Sequence, residues 1–541
     1  MPPLDRTPQT GPDPLEMELF RYAVESVVDE LDVNITRTAH SPLVYEYKDY
    51  SVGLVTGDFR LLSQSRYNLP IFLADLGEPV RDAVEVIGED RVEPGDIFIT
   101  NFNPANGSHL NNVISASPIF ADDRIVGYVT IRTHWPDVGG LVPGSLSWNS
   151  RSIFHEGVQY RGLKLVSRGR IVPEVLATIQ ANSWMPELVT GDAMANVAAC
   201  TLGVARWHEQ IASRWSQDEV DALVAAQFGA SAALARERVA ALPDGIYTAA
   251  TAFDDGNPGS PSLPLSLSIL VEGDRMVVDL SGLPPQVEAP INSGAKGGAV
   301  SAMRVAFKSL LAPERPADHG LFEPLEVVIP PGTVMSAEGN APMSMWNILP
   351  PTMIDLFLRA IGERLPELVP AGHFAAQATV GLLGVDEKGR WWMASNAGQG
   401  GFGATSDADG FGPVMTYMHG DNPRVQNEII EGRYPVRVLE HKIRRNAGGR
   451  GLHRGGPGFE IVMEALEDMY MSTLINRTRT PAWGLAGGEP GRPCEIHKLE
   501  PGAARWKRIG QVSQAPVTAG TRFRVRGGGG GGWGTPPARG S

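Results

Sequence analysis

Cysteine is scarce in this sequence: among 541 residues only Cys200 and Cys494 carry thiols. They are far apart in the chain, so they make neither a CxxC metal site nor a disulfide framework, which fits a reducing compartment. Both read as inert core thiols. No run approaches about 18 consecutive apolar residues, and Met1–Pro12 has no basic end followed by an apolar stretch, so neither a membrane span nor a signal peptide is indicated. Basic blocks are missing as well. With 47 Lys and Arg against 61 Asp and Glu, the net charge of −14 argues against nucleic acid and against an anionic membrane surface. No GxxxxGK[ST] phosphate loop occurs anywhere. The expectation is a soluble cytoplasmic protein with no nucleotide site of its own.

Glycine (62 residues), proline (43) and apolar residues (42%) are plentiful. A chain of this length exceeds what one hydrophobic core serves. The patterning predicts an α+β, multi-lobed chain: a mixed N-terminal lobe over 13–242 that includes a central helical pair, a middle α+β lobe over 243–374, and a β-rich lobe over 375–537. Asp13-Pro14 is a helix start, followed by an apolar stripe at Leu15, Leu19, Val24, Val27, Val28 and Leu31. The Ala-rich stretch 186–215 and the capping box Ser216-x-x-Glu219 open the two central helices, whose expected role is to cover a sheet or make a subunit contact. From residue 375 onward, short strands alternate with glycines. The stretch Gly398–Gly403 satisfies GxGxxG, but no helical pattern opens at its last glycine, so it is not a nucleotide fingerprint. The glycines of 448–458, flanked by Arg444 and Arg454, read as turns rather than an anion cradle.

Ligand-type residues cluster densely in one place, over 96–140. Apolar runs at Ile97–Ile99 and Val126–Ile131 each lead into a Gly/Asn/Pro-rich turn, which places polar groups at strand ends on a rigid base. His109, His134 and Asp137 are the right types for a divalent metal, since imidazole with carboxylate suits zinc, manganese or iron. Pro136 stiffens the second turn and Gly139-Gly140 lets it bend tightly. His134 and Asp137 are therefore expected to face one cavity with His109.

These turns resemble the hydantoinase B/oxoprolinase family, which includes the B-type chains of ATP-dependent N-methylhydantoinases, the C-terminal part of 5-oxoprolinases, and large subunits of acetone and acetophenone carboxylases. The family writes them approximately as N-D-P-Y-x-G-G-T-H-L-P-D and H-H-A-D-I-G-G. His109, His134, Asp137 and the paired glycines match, whereas Phe102, Asn112 and Trp135 replace Asp, Asp and His, and Phe72 stands where the family has another histidine. Glu46 and Asp49 match an E-x-x-D-F-S pattern and are read as a turn or an ion-paired strand end. The tail Gly527–Gly532 matches the family's closing glycines. The resemblance, which spans about residues 13–537, implies a heteromeric enzyme: a hydantoinase A-type partner supplies ATP, and this chain opens a hydantoin, 5-oxoproline or lactam. It also leaves open a ketone carboxylase subunit, or a non-catalytic scaffold. As a hydrolase, its metal would be held by His109, His134 and Asp137, with His134 and Asp137 catalytic.

Overall fold

A computed structural model describes residues 11–72, 76–396 and 398–538. The first helix, α1 (Pro14–Thr38), starts where the sequence signals it, with the Asp13 carboxylate accepting from Leu15 N at 3.0 Å. Its buried stripe is Phe20, Val24, Val27, Val28, Leu31 and Ile35, while Leu15 and Leu19 are exposed. Helical spacing carried back from Val24 reaches Phe20, so the two N-terminal leucines lie off the buried face.

That stripe covers one face of a seven-stranded sheet made of β1 (Tyr50–Thr56), β2 (Leu61–Gln64), β3 (Ile97–Thr100), β4 (Asn112–Ala121), β5 (Arg124–His134), β6 (Leu163–Ser167) and β7 (Arg170–Ile171). Its order is β2-β1-β5-β4-β3-β6-β7, antiparallel throughout. Helix Pro186–Trp207 lies between α1 and β4–β5, and helix Gln217–Ala240, held at its start by the Ser216/Glu219 capping box, leans on α1 and the 320–322 turn. By length and apolar composition the helical stretch Pro186–Ala212 would also suit a membrane, a property the lack of an unbroken apolar run does not reveal. Half of its most apolar window is buried inside the protein.

The other face of this sheet shares a second, larger core with β8 (Gly245–Phe253), β9 (Leu263–Glu272), β10 (Arg275–Asp279) and β11 (Leu325–Val328), and with helices Ser301–Leu311 and Pro350–Gly362. The C-terminal strands build two further sheets. One, ordered β13-β12-β16-β19, uses β12 (Ala378–Val385), β13 (Trp391–Asn396), β16 (Met469–Ile475) and β19 (Ala515–Val517). The other, β14-β15-β20-β17-β18, uses β14 (Val436–Arg444), β15 (Gly458–Ala465), β17 (Glu495–Leu499), β18 (Lys507–Ile509) and β20 (Arg522–Arg526). The glycine-rich segments pack backbone on backbone. The tail 527–532 threads among 400–404, 448–456 and 488–492, with Gly401 N donating to Gly528 O at 3.0 Å and Gly449 N to Gly530 O at 2.9 Å. A Cβ on Gly530 would collide with the Phe402 carbonyl, and one on Gly448 with that of Gly455. These glycines therefore serve packing, and no helix starts at Gly403.

Candidate functional site

The ends of β1, β4 and β5 lie side by side. Tyr50 stands opposite Thr133, Asn112 opposite His134, and His134 N donates to the Asp49 carbonyl at 2.9 Å. Asp49, Asn112 and His134 therefore form a row across the ends of three neighbouring interior strands, and the loop before β4 brings His109 over it. The rings of His109 and His134 meet edge to face, with centroids 4.7 Å apart. His109 Nδ1 lies 3.3 Å from the Ser344 carbonyl, which fixes Nδ1 as the protonated nitrogen. Burial, with His134 beside it, pushes the His109 imidazole well below its ordinary range. His134 is also pushed down by burial, an effect the neighbouring Asp49 opposes. Both rings are neutral near pH 7. Burial raises the Asp49 carboxyl, and His134 and Arg132 partly offset that rise. The His134 Nδ1 is buried without a hydrogen-bond partner among the described residues.

Asp49, His109 and His134 line a cavity of about 550 Å³ between the seven-stranded sheet and the β13-β12-β16-β19 sheet. Leu146, Met185, Leu188, Leu383, Ile430 and Trp392 supply apolar walls, while Gln377, His419 and Asn347 add polar groups. Trp392 and Tyr434 pack with centroids 5.4 Å apart. Glu46 reaches Arg433 at 3.7 Å, the ion-paired role expected for it. Asp49 lies in the turn before β1, with its N–H donating to the Leu43 carbonyl at 2.9 Å, and it lines the cavity, where its carboxyl acts on the His134 ring electrostatically.

Asp137 is placed differently from the expectation. It does not line the cavity; its Oδ1 accepts from Gly139 N, Trp184 N and Ser183 Oγ, and its Oδ2 from Gly144 N and Ser145 Oγ, at 2.8–3.4 Å. Five donors fill the carboxylate, which ties the 137–145 loop to the 183–184 turn. Gly139 and Gly140 do adopt positive φ, +85° and +96°, as the tight bend requires. The trio His109, His134 and Asp137 therefore does not suit a shared zinc, manganese or iron ion, and no group of three His, Cys, Asp or Glu fit to hold a metal occurs among the described residues.

The substituted positions also have structural explanations. Phe72 carries the buried Arg132 guanidinium 4.0 Å above its ring, and Arg132 Nη2 donates to Ser108 Oγ at 2.7 Å. Phe102 packs beneath Arg161, which forks onto Asp82. Trp135 points into the core beside Tyr160, since the residue after His134 turns to the opposite side. Asn112 Nδ2 donates to Ser108 Oγ at 3.2 Å. None of the four lines the cavity.

A family model described as hydantoinase B/oxoprolinase matches residues 13–536. The chain is 26% identical over 548 residues to the B chain of a putative D-/L-hydantoinase of Pseudomonas sp. (strain NS671), covering 97% of this chain and 91% of that protein. It is 26% identical over 492 residues to the β chain of the caprolactamase of Pseudomonas jessenii, covering 88% of this chain and 82% of that protein. The fold matches the crystal structure of the ATP-dependent caprolactamase from Pseudomonas jessenii with a TM-score of 0.89 at 23% identity, over 97% of this chain and 92% of that one.

Proposed function

Because the chain belongs to the hydantoinase B/oxoprolinase family, we propose that it is the ring-opening subunit of a heteromeric, ATP-dependent cyclic-amide hydrolase, acting on a substrate whose carbonyl a hydantoinase A-type partner has activated with ATP. Relatives named as single subunits of a hydantoinase and of a caprolactamase support the heteromeric part of this reading. The observation that carries the chemistry is the meeting of two neutral imidazoles, with the Asp49 carboxyl near enough to act on the His134 ring electrostatically, at the polar end of a cavity large enough for a ring substrate.

His134 acts as the base. Water adds its oxygen to the activated carbonyl carbon while its proton passes to His134, and Asp49 stabilises the imidazolium that forms. The C–N bond then breaks as the ring nitrogen takes the proton back from His134, leaving an acyl phosphate; a second water adds to its carbonyl carbon, and the carbon–oxygen bond to phosphate breaks to release the carboxylate and phosphate. His109, whose Nδ1–H is committed to the Ser344 carbonyl, presents Nε2 as an acceptor that orients the attacking water. The apolar walls exclude bulk water, which strengthens each of these interactions.

The test is the assembled complex with Asp49→Asn. The base works only when neutral, so activity falls as pH drops through the His134 pKa, which lies below the ordinary 6.5. Asp49 raises that pKa; without its charge the acid limb of kcat moves to lower pH while the plateau drops on the order of 10²-fold. An unchanged limb with an unchanged plateau would remove Asp49 from the mechanism.

A further inference from the structure

Across the cavity from the imidazoles, two buried polar side chains from the C-terminal region form a short relay. Gln377 and His419 are 3% and 6% exposed. The Gln377 Nε2 lies 3.4 Å from His419 Nε2, and His419 Nδ1 lies 2.8 Å from Thr416 Oγ1. A carboxamide nitrogen only donates, so His419 Nε2 must accept, and His419 carries its proton on Nδ1, donated to Thr416. Burial lowers the His419 pKa to about 4, which keeps the ring neutral and the relay in this one sense. The Gln377 backbone is pinned too. Its N–H donates to Asn476 Oδ1 at 2.8 Å, and Asn476 Nδ2 donates to the Ile348 carbonyl at 3.2 Å, in the turn just after the Ser344 carbonyl that faces His109. One edge of the carboxamide is thus committed to the protein. Its second N–H and its Oε1 engage no other described residue, and Gln377 lines the cavity.

We infer that Gln377 is the specificity-determining residue that reads the ring nitrogen of the substrate and so selects a cyclic amide over a ketone of the same size. This rests on the cyclic-amide reading above and deepens it. A small ring holds its amide cis, which places N–H and C=O on one edge, and a primary carboxamide is the complement of that edge: Oε1 accepts from the ring N–H while the free Nε2–H donates to the ring oxygen. Activation on oxygen turns the ring nitrogen into an acceptor, and the same free N–H of Gln377 then serves it. A ketone offers no nitrogen, so it would leave Gln377 Oε1 unpaired once the ring shuts water out of the cavity, which such a site penalises.

The experiment compares δ-valerolactam, N-methyl-δ-valerolactam and cyclohexanone. Binding is measured calorimetrically on the full-length chain, and kcat/KM on the complex with its partner, for the wild type, Gln377→Met and Gln377→Glu. The wild type is expected to favour the lactam over both analogues by about ten-fold or more. Gln377→Met keeps the volume and should bring the three ligands to within about two-fold of one another. Gln377→Glu keeps an acceptor and should retain preference for the N–H over the N-methyl ring, which a purely structural role would not predict. Thermal melting of both variants shows whether they are folded. Equal binding of the lactam and its N-methyl form by the wild type, or preference surviving in folded Gln377→Met, overturns the inference while lactam opening by the complex leaves the cyclic-amide reading intact. If the complex opens no lactam and the chain binds none of the rings with a nitrogen, both fail together.

Discussion

Asp137 shows what a carboxylate does when five donors converge on it. Asparagine at that position would keep one acceptor and turn an NH₂ toward donors, so at least two of the five hydrogen bonds are lost and the 137–145 loop comes free of the 183–184 turn. Asp137→Asn is expected to lower stability by about 2–4 kcal/mol, read as a drop in Tm. Any activity lost should track that fall and recover at lower temperature, whereas Asp49→Asn should reduce activity with Tm little changed. A temperature-independent loss in folded Asp137→Asn would return that residue to the chemistry. The sequence made these two aspartates hard to sort. Asp137 sits beside His134 in the chain, and Asp49 far from it; their roles are exchanged because β1 pairs with β5, which sets Asp49 against His134. That register is a long-range fact that no local pattern encodes. His109 and His134 were legible because each stands where an apolar strand run meets a Gly/Asn/Pro-rich turn. Gln377 and His419 were not, because they sit in irregular segments with no spacing to single them out.

At the scale of elements, legibility followed periodicity. Helix Gln217–Ala240 begins at the capping box that announces it, and β12, β13, β14 and β15 fall within a few residues of their apolar runs. The strands β17, β18 and β20 are not legible in the sequence because they mix Arg, Lys and Glu with isolated apolar residues, and their place in the sheet comes from long-range pairing, β20 on β15, β17 on β20 and β18 on β17. Glycine in 400–404, 448–456 and 527–532 carries a different kind of information: the need for backbones to touch. Gly530 tests it. Its N–H donates to Gly456 O at 3.0 Å, its carbonyl accepts from Gly449 N at 2.9 Å, and a methyl group there would strike the Phe402 carbonyl. Gly530→Ala should cost more than the roughly 1–3 kcal/mol typical of overpacking, because the obstacle is backbone and cannot swing away. The expected readout is insoluble protein, or a Tm drop of many degrees with hydrogen exchange accelerated in 448–456. Gly502, near the surface with nothing within 4 Å of an added Cβ but a positive φ of +76°, should on replacement by alanine lose only the roughly 1–2 kcal/mol of left-handed backbone strain and stay soluble.

For the molecule as a whole, the cavity's position sets its dependence on assembly. One wall comes from strand ends early in the chain, the other from β12 and the 377–419 region, so the site exists only when the N-terminal sheet and the C-terminal sheets are docked. Trp148 N, donating to Ser513 Oγ at 2.6 Å, ties the N-terminal part to the C-terminal sheets directly, while Asn476 Nδ2 to the Ile348 carbonyl and Arg477 Nη2 to Asp355 Oδ2 at 2.7 Å tie those sheets to the shared core. The chain alone thus has a formed cavity but, on the proposed division of labour, no means of activating an unstrained amide, whose hydrolysis by water and a histidine base is slow. Purified by itself it should bind a small lactam yet show no lactam-dependent ATP hydrolysis and no ring opening; adding the A-type partner should switch on both together, in a fixed ratio of ATP consumed to ring opened. His134→Ala in that complex should separate them, leaving ATP consumption by the partner while ring opening falls on the order of 10²-fold or more. Lactam-dependent ATP hydrolysis by the lone chain would refute the division, and a His134→Ala complex that still opened rings at the wild-type rate would move the water-activating step to the partner.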